Sequence, residues 1–463
     1  MMDESVAYPF AFYLGLGLLA AGMGVAWTKR QSGTGIPMLA VFGTVAIWYF
    51  GDALYNEYQE YAIRIGPQYL ESAWVQVALF LMAFIVLVPM VHRAWNRKLL
   101  GERSEFFELM SRGGIDNPEF QRRLDIAMSL LASVWFILML IALIRTNFDF
   151  LGLFAPYISG KTYPWSRGRL GGGFDALLSL ANYVQIMITA MFGIIAAISK
   201  NKRTRSFALL CFALAAPFYI LDRARNVMLA TCLPGLLAWV LLRLKGGIIL
   251  KASILAGSFG VIEAWMRFVI DSRSSKSSIS LMVSSLGVGG LAQKMEEIET
   301  EHKGLTMFQE LSWINSFIDK GTYAVNWGQR YFADLANPIP RTLWPDKPMI
   351  GIDYAIARGQ TFAQASEASA GVGATISTGM IGQGVVNFGI FFGPIFAAFL
   401  MACWVAILAR QDLKGEKMGR MLLFFIGCVL TFNLGRDISF ITLYPFVFGY
   451  ILLTVWARMH GER

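Results

Sequence analysis

Apolar residues in this chain come in long runs rather than at the spacing of a half-buried strand or an amphipathic helix. Runs of about 18–22 residues recur, with charged or glycine-rich stretches between them. They fall at 8–27, 36–53, 73–91, 125–144, 175–198, 206–221, 227–242, 247–270, 388–409, 420–435 and 440–457. A helix rises about 1.5 Å per residue, so about 20 residues cross a hydrocarbon core of about 30 Å. The pattern predicts an all-α, polytopic bundle of about eleven spans, within a range of 10–13. The first run reads as a span rather than a cleaved signal.

The charges between the runs set an orientation. Lys29 and Arg30 follow the first run, and Arg93, Arg97, Lys98, Arg103, Arg122 and Arg123 the third. Lys200, Lys202, Arg203 and Arg205 follow the fifth, Arg243 and Lys245 the seventh, and Arg410, Lys414, Lys417 and Arg420 the ninth. With every run a span, all lie on one side, which the positive-inside rule makes the cytoplasm. The amino terminus is then outside and the carboxyl terminus, with Arg458 and Arg463, inside. Three stretches follow: a bundle over 1–270, with a cytoplasmic loop at 92–124 and an outer loop at 145–174; an outer cap over 271–377; and the last spans over 378–463. A connection as long as the second is normally functional or disordered, and its aromatic content favours an ordered cap.

Composition sharpens this picture. The chain is 56% hydrophobic and 15% charged, too few charges to coat a soluble protein of 463 residues. Its net charge of +9 fits the topology and needs no nucleic acid. Cys211, Cys232, Cys403 and Cys428 lie inside apolar runs and read as small hydrophobes. The histidines, His92, His302 and His460, are scattered, and no Asp-x-Asp, Walker A or HExxH sequence occurs. No metal site and no cofactor is expected.

Several arginines break the inside rule. LDRARN places Asp222, Arg223 and Arg225 at an outer mouth, EAWMRFVIDSR places Arg267 near one, and LGRDISF places Arg436 and Asp437 there. Arginine at mid-span costs about 2.5–3.5 kcal/mol on insertion scales, and less toward an interface. Clusters at one depth suggest a shared anion, and the guanidinium fork suits phosphate. The plain alternative is local pairing: Arg223 with Asp222, Arg436 with Asp437, Arg267 with Asp271 or Glu263.

Four stretches carry a resemblance: DRARNVMLA, WMRF, the run IPRTLWPDKP followed by SAGVGATISTGMIGQGVVNFG, and GRDISF. Over about residues 205–450 the chain resembles the bacterial oligosaccharide repeat-unit polymerases of the Wzy type, including O-antigen and enterobacterial common antigen polymerases. The resemblance implies a GT-C-like membrane glycosyltransferase of the bacterial inner membrane, working on its outer side without a metal. Donor and acceptor would be glycans on undecaprenyl diphosphate, among membrane lipid, with room for a chain-length regulator protein as partner. It implies Arg223, Arg225, Arg267, Arg436 and Arg341 as ligands of the lipid diphosphate. Asp437 is the first candidate for the base on the acceptor hydroxyl, with Asp222 and Glu367 as rivals. Trp344, Trp313 and Glu367 are candidate sugar or cap contacts, and the prolines around Arg341 and Trp344 would stiffen that segment. A lipid-glycan ligase and a lipid-oligosaccharide flippase or other transporter remain the alternatives.

Overall fold

The computed structural model describes residues 7–56, 58–112, 114–156, 162–165, 175–221, 225–274, 306–336, 339, 343–344, 348, 352–358, 377–414 and 418–459. Each of the eleven apolar runs is helical, and no strand occurs among the described residues. In chain order they are α1 (Phe10–Thr28), α2 (Gly35–Leu54), α3 (Pro67–Trp95), α4 (Pro118–Arg145), α5 (Asp175–Ile198), α6 (Lys202–Ile220), α7 (Arg225–Ala238, continued to Arg243 as a π-turn) and α8 (Ile248–Ser274). Two shorter helices, α9 (Met307–Asp319) and α10 (Gln329–Ala336), precede α11 (Met380–Asp412), α12 (Met418–Leu434) and α13 (Phe440–Met459).

Six of these helices are long and apolar enough to cross a membrane: α1, α2, α3, α4, Ala181–Ile198 of α5, and α11. Their outward faces are those of a lipid-embedded protein. On α3, Met82, Val86 and Met90 form an exposed apolar stripe at a spacing of four. On α4, Phe136, Ile137, Ile141 and Ile144 are exposed, and only 22% of its most apolar window is buried inside the protein. In water such stripes would be aggregation sites; in hydrocarbon they are solvated.

The chain divides into two compact units, one of Met1–Ser104, Leu305–Leu413 and Thr431–Leu443, the other of Glu105–Gly304, Lys414–Leu430 and Tyr444–Arg463. Both draw on all three stretches divided at 270 and 377.

In the first unit, α9 belongs to the core. Phe308, Leu311 and Ile314 are fully buried, and Phe308 packs on Trp74 of α3 with ring centroids 4.3 Å apart. Its polar residues are matched rather than solvated. Asn315 and Gln76 exchange both amide hydrogen bonds, at 2.8 and 3.1 Å. The start of α9 is held by Asp52 at the end of α2. Its carboxylate accepts from the Phe308 and Gln309 amides at 2.8 and 3.0 Å, and from Asn56 and the Tyr61 hydroxyl at 2.8 and 2.9 Å. A carboxylate at a helix N-terminus answers both the unpaired amides and the helix dipole.

Helix α11 is not one straight rod. Gly389 has φ 79° and ψ −179°, which only glycine adopts without strain, and the chain folds back there. Gly384 and Gly393 meet across the fold: a Cβ on Gly393 would lie 2.4 Å from the Gly384 carbonyl carbon. Residues 390–412 at about 1.5 Å each still reach about 35 Å, enough for a span. Residues 380–388 form a short re-entrant limb against α9, where a Cβ on Gly382 would lie 2.9 Å from Ile314 Cδ1. The run expected at 388–409 is thus present, and a second limb precedes it that hydropathy did not separate.

The second unit uses the same device between α5 and α7. A Cβ on Gly235 of α7 would lie 2.7 Å from the Gly193 carbonyl carbon of α5, so these helices cross in backbone contact. At one end Asp116 pairs with Lys200 at 2.9 Å and Arg243 at 3.1 Å, and Asp125 accepts from Asn201 and Thr204. The start of α4, the end of α5, the start of α6 and the end of α7 therefore share an end of this unit.

The close approach at the fold of α11 gives a stability test. Replacing Gly393 by Val forces apart two backbones and should cost at least the 1–3 kcal/mol, roughly, of an overpacked core. Val at Gly24, whose Cβ would meet nothing within 4 Å, serves as the control. Thermal unfolding of both variants in detergent should show a clearly lower midpoint for Gly393→Val alone.

Candidate functional site

The sequence GRDISF forms the turn between α12 and α13, and almost every residue of it is gripped by another segment of the first unit. Gly435 offers its carbonyl to the Met380 amide at 3.0 Å. No larger residue fits there, because a Cβ would lie 2.2 Å from Thr44 Cγ2 and 2.6 Å from Trp48 Cδ1. Arg436 donates through Nη2 to the Ser377 hydroxyl at 3.0 Å, and its guanidinium carbon stands 6.0 Å from the centre of the Trp48 ring. Ile438 is read as a backbone amide by Gln383 of the re-entrant limb: its N–H donates to Oε1 at 2.7 Å, and its carbonyl accepts from Nε2 at 3.3 Å. Ser439 and Phe440 donate to the two oxygens of Asp334 on α10, at 3.0 and 2.5 Å. Asp334 thereby caps the start of α13. Burial pushes its carboxyl above the usual carboxylate range, against the opposing pull of the Phe440 amide and the Ser439 hydroxyl.

Asp437 is held on one side only. Its Oδ1 accepts from the amide and the hydroxyl of Thr378, both at 3.2 Å, and stands 3.9 Å from Nη2 of Arg330 on α10. Its Oδ2 has no hydrogen-bond partner among the described residues, and the side chain is 23% exposed. One oxygen is fixed and the other is available, an arrangement suited to accepting a proton from a bound hydroxyl. Arg330 is 5% exposed and lies one helical turn before Asp334. The pair at i and i+4 aims one face of α10 at the turn.

The first turn of the re-entrant limb is closed as an anion site. The Thr378 amide goes to Asp437, the Met380 amide to Gly435 and the Ile381 amide to the Tyr49 hydroxyl at 2.9 Å. Gly379, with φ 76°, sits against that hydroxyl, where a Cβ would come within 2.7 Å. The positive charge of the site therefore comes from Arg436 and Arg330 rather than from a helix end.

A second polar cluster lies farther along the same unit. Arg358 makes a two-pronged pair with Glu310 of α9, at 3.0 and 3.1 Å, and Tyr354 donates to the same carboxylate. The Arg358 guanidinium lies 5.0 Å over the ring of Trp313, which also stacks on Phe317. Trp313, a candidate sugar contact, has one face used in this way. Trp344 meets Phe332 edge-on at 6.1 Å.

Of the residues singled out from the sequence, Arg436 and Asp437 are brought into one constellation with each other, though not as a pair. Asp437 is matched with Arg330 and Thr378, not with its neighbour. Asp222, Arg223, Arg341 and Glu367 lie outside the described residues. The backbones of Arg225 and Arg267 begin α7 and run through α8 in the second unit, and their side chains lie outside the description. Sequence reasoning passed over Arg330, Asp334, Ser377, Thr378 and Gln383. The one signal for them was proximity to stretches already marked: QRYFADLA runs into NPIPR, and STGMIGQG belongs to the glycine-rich stretch that follows it. Among the described residues no group of three histidine, cysteine or acidic side chains converges as metal ligands. Comparisons with protein-family models, curated proteins and solved structures find no match for the chain.

The grip of Gln383 on Ile438 can be tested directly. Gln383→Leu leaves the half-buried Ile438 amide and carbonyl without their side-chain partner, at a cost of about 1 kcal/mol. The thermal midpoint of the purified protein should fall accordingly, and limited proteolysis should newly cut between α12 and α13.

Proposed function

We propose that this protein is a membrane glycosyltransferase that polymerises oligosaccharide repeat units carried on undecaprenyl diphosphate. In this reading all eleven helices span the inner membrane of a bacterium, in a GT-C-like arrangement, with the amino terminus outside and the site on the outer face. The observation that carries it is the junction at the turn 435–440. There, two of the four stretches that resemble the repeat-unit polymerases, GRDISF and the glycine-rich part of the third, meet α10 in a single hydrogen-bonded constellation. That constellation presents Arg436 and a one-sidedly held Asp437.

The chemistry follows from those two groups. The acceptor hydroxyl oxygen attacks the anomeric carbon of the donor, the bond from that carbon to the diphosphate oxygen breaks, and the diphosphate leaves with the electron pair. The hydroxyl proton passes to Oδ2 of Asp437. Charge grows on the departing diphosphate as the bond breaks, so an arginine aimed at it favours the transition state over the ground state. Arg436 takes that role here; the resemblance implies the same role for Arg223, Arg225, Arg267 and Arg341.

One observation favours a second reading. The fold-back of α11 at Gly389 makes a broken helix beside polar side chains, a device that transporters use to build substrate sites. A flippase for lipid-linked oligosaccharide would use the same ligand without breaking a bond.

Deleting the gene and resolving surface glycans by gel separates the readings. Loss of long chains with single repeats retained is the expected result. Loss of all transferred glycan points to a ligase, and lipid-linked units trapped on the cytoplasmic side point to a flippase. In complementation, Arg436→Gln should cut polymer formation on the order of 10–100-fold, the equivalent of a charge-assisted hydrogen bond of about 1.5–3 kcal/mol, with protein level unchanged. Wild-type chain lengths in that variant would remove Arg436 from the reaction.

A further inference from the structure

Helix α10 is built inside out. Its inward face carries Arg330 and Asp334, each 5% exposed, together with Ala333 and Ala336. Its outward face carries Phe332 and Leu335, 54% and 60% exposed, alongside Gln329 at its start. A helix lying on a protein in water does the opposite: it sets its charges in solvent and its large apolar side chains on the core. This inversion calls for an apolar medium outside. The flanks of the helix repeat it. Trp327 before α10 and Ile339 and Leu343 after it are exposed as well, and Trp344 meets Phe332 edge-on at 6.1 Å.

The neighbouring helix identifies that medium. The segment 326–336 is fixed to both limbs of α11. The Asn326 amide donates to the Val386 carbonyl at 3.0 Å, and a Cβ on Gly328 would lie 3.3 Å from Phe388 Cζ. Tyr331 stacks on Phe388 at 6.3 Å and meets Phe396 at 5.6 Å. Helix α10 therefore sits level with residues 386–396. At that level α11 exposes Phe391, Phe392 and Ile395, and Phe399 one turn farther on, all in the limb long and apolar enough to span. In a membrane-embedded protein those side chains are solvated by hydrocarbon, and α10 abuts them. Trp327 and Trp344 bracket α10, and tryptophan is the residue favoured where hydrocarbon meets headgroups. An amphipathic helix at that boundary sinks its apolar face about 5–10 Å into the headgroup and acyl region.

We propose that α10 and its flanks lie in the membrane, with Phe332, Leu335 and Leu343 immersed in the acyl chains of one leaflet and Arg330 and Asp334 turned to the protein. Continuity with the lipid-facing side chains of α11 makes the occupant of this face lipid rather than a second protein chain. Part of the stretch expected as an outer cap, 271–377, is then a membrane-inserted element. The turn 435–440, which α10 holds through Asp334, lies at the depth of lipid headgroups rather than in open water. The inference concerns where the helix sits, and it stands whether or not that turn is catalytic.

Site-directed spin labelling of the full-length protein in vesicles of phosphatidylethanolamine and phosphatidylglycerol tests this. With Cys211, Cys232, Cys403 and Cys428 replaced by alanine, Leu335→Cys carries a single label. Its collisions with oxygen, which concentrates in hydrocarbon, are compared with its collisions with a water-soluble nickel chelate. Phe399→Cys on α11 is the lipid reference, and Lys202→Cys at the start of α6 is the water reference. The expected oxygen-to-chelate ratio for Leu335→Cys is several-fold above that of Lys202→Cys and close to that of Phe399→Cys. A ratio as low as that of Lys202→Cys puts the face in water and overturns the proposal. Few collisions with either reagent mean that protein covers the face, which overturns it too; spin–spin broadening then marks a second copy of the chain as the cover. If Leu335→Cys does not fold, Leu343→Cys, at a position 78% exposed, carries the label and the same outcomes decide. None of these results depends on glycan transfer, so failure here and failure of the proposed reaction are distinguishable.

Discussion

The order of the first unit depends on one buried carboxylate. Asp52 ends α2 fully shielded from solvent, and four donors from three different segments converge on it. Without those donors an ion there would be untenable; with them it binds the start of α9 to the bundle. Once fixed, α9 supplies the apolar surface against which the limb 380–388 lies, through Leu311 and Ile314. That limb in turn carries Gln383, and the residues just before it, Ser377 and Thr378, reach Arg436 and Asp437. The geometry of the candidate site is thus inherited through two layers from a single acid at the end of a hydrophobic helix.

Glycine does the complementary work. Where the acids and amides pull segments together, Gly379, Gly382, Gly384, Gly393 and Gly435 permit the approach, because a side chain at any of them would overlap a neighbour. Helices in lipid gain little from burying apolar groups against one another, so close backbone contact and interhelical hydrogen bonds carry a larger share of their association. The first unit combines both means within one short stretch, residues 377–393.

The helices were legible in the sequence because long apolar runs favour helix, and each of the eleven runs is helical, six of these helices being long and apolar enough to cross a membrane. The fold-back of α11 was not. Gly389 sits in the run NFGIFFGP, apolar on both sides, and a glycine there looks the same in a straight helix as in a reversal. Helix α9 lies in the stretch read as an outer cap and not as core, since Glu310, Ser312, Asn315 and Ser316 look like a solvated face until Arg358, Tyr354 and Gln76 are seen to match two of them. In the site, Arg436 and Asp437 stood out because charge is rare beside hydrophobic runs. Their mutual pairing was the plain alternative to a shared anion, yet Asp437 finds Arg330 and Thr378 instead. Arg330 and Asp334 gave no signal of their own; on a short amphipathic helix such a pair usually faces water, and only the fold turns it inward.

The hairpin in α11 also acts as a molecular ruler. Gly384 and Gly393 are in register across the fold, with the reversal at Gly389 between them, while Gln383 grips Ile438 next door. Adding or removing one residue in that interval would rotate a limb by about 100° and slide it about 1.5 Å, carrying the glutamine off its mark. Substitutions can drift there, but length cannot, so related chains that share this architecture are bound to keep the interval while the connecting segments around it vary.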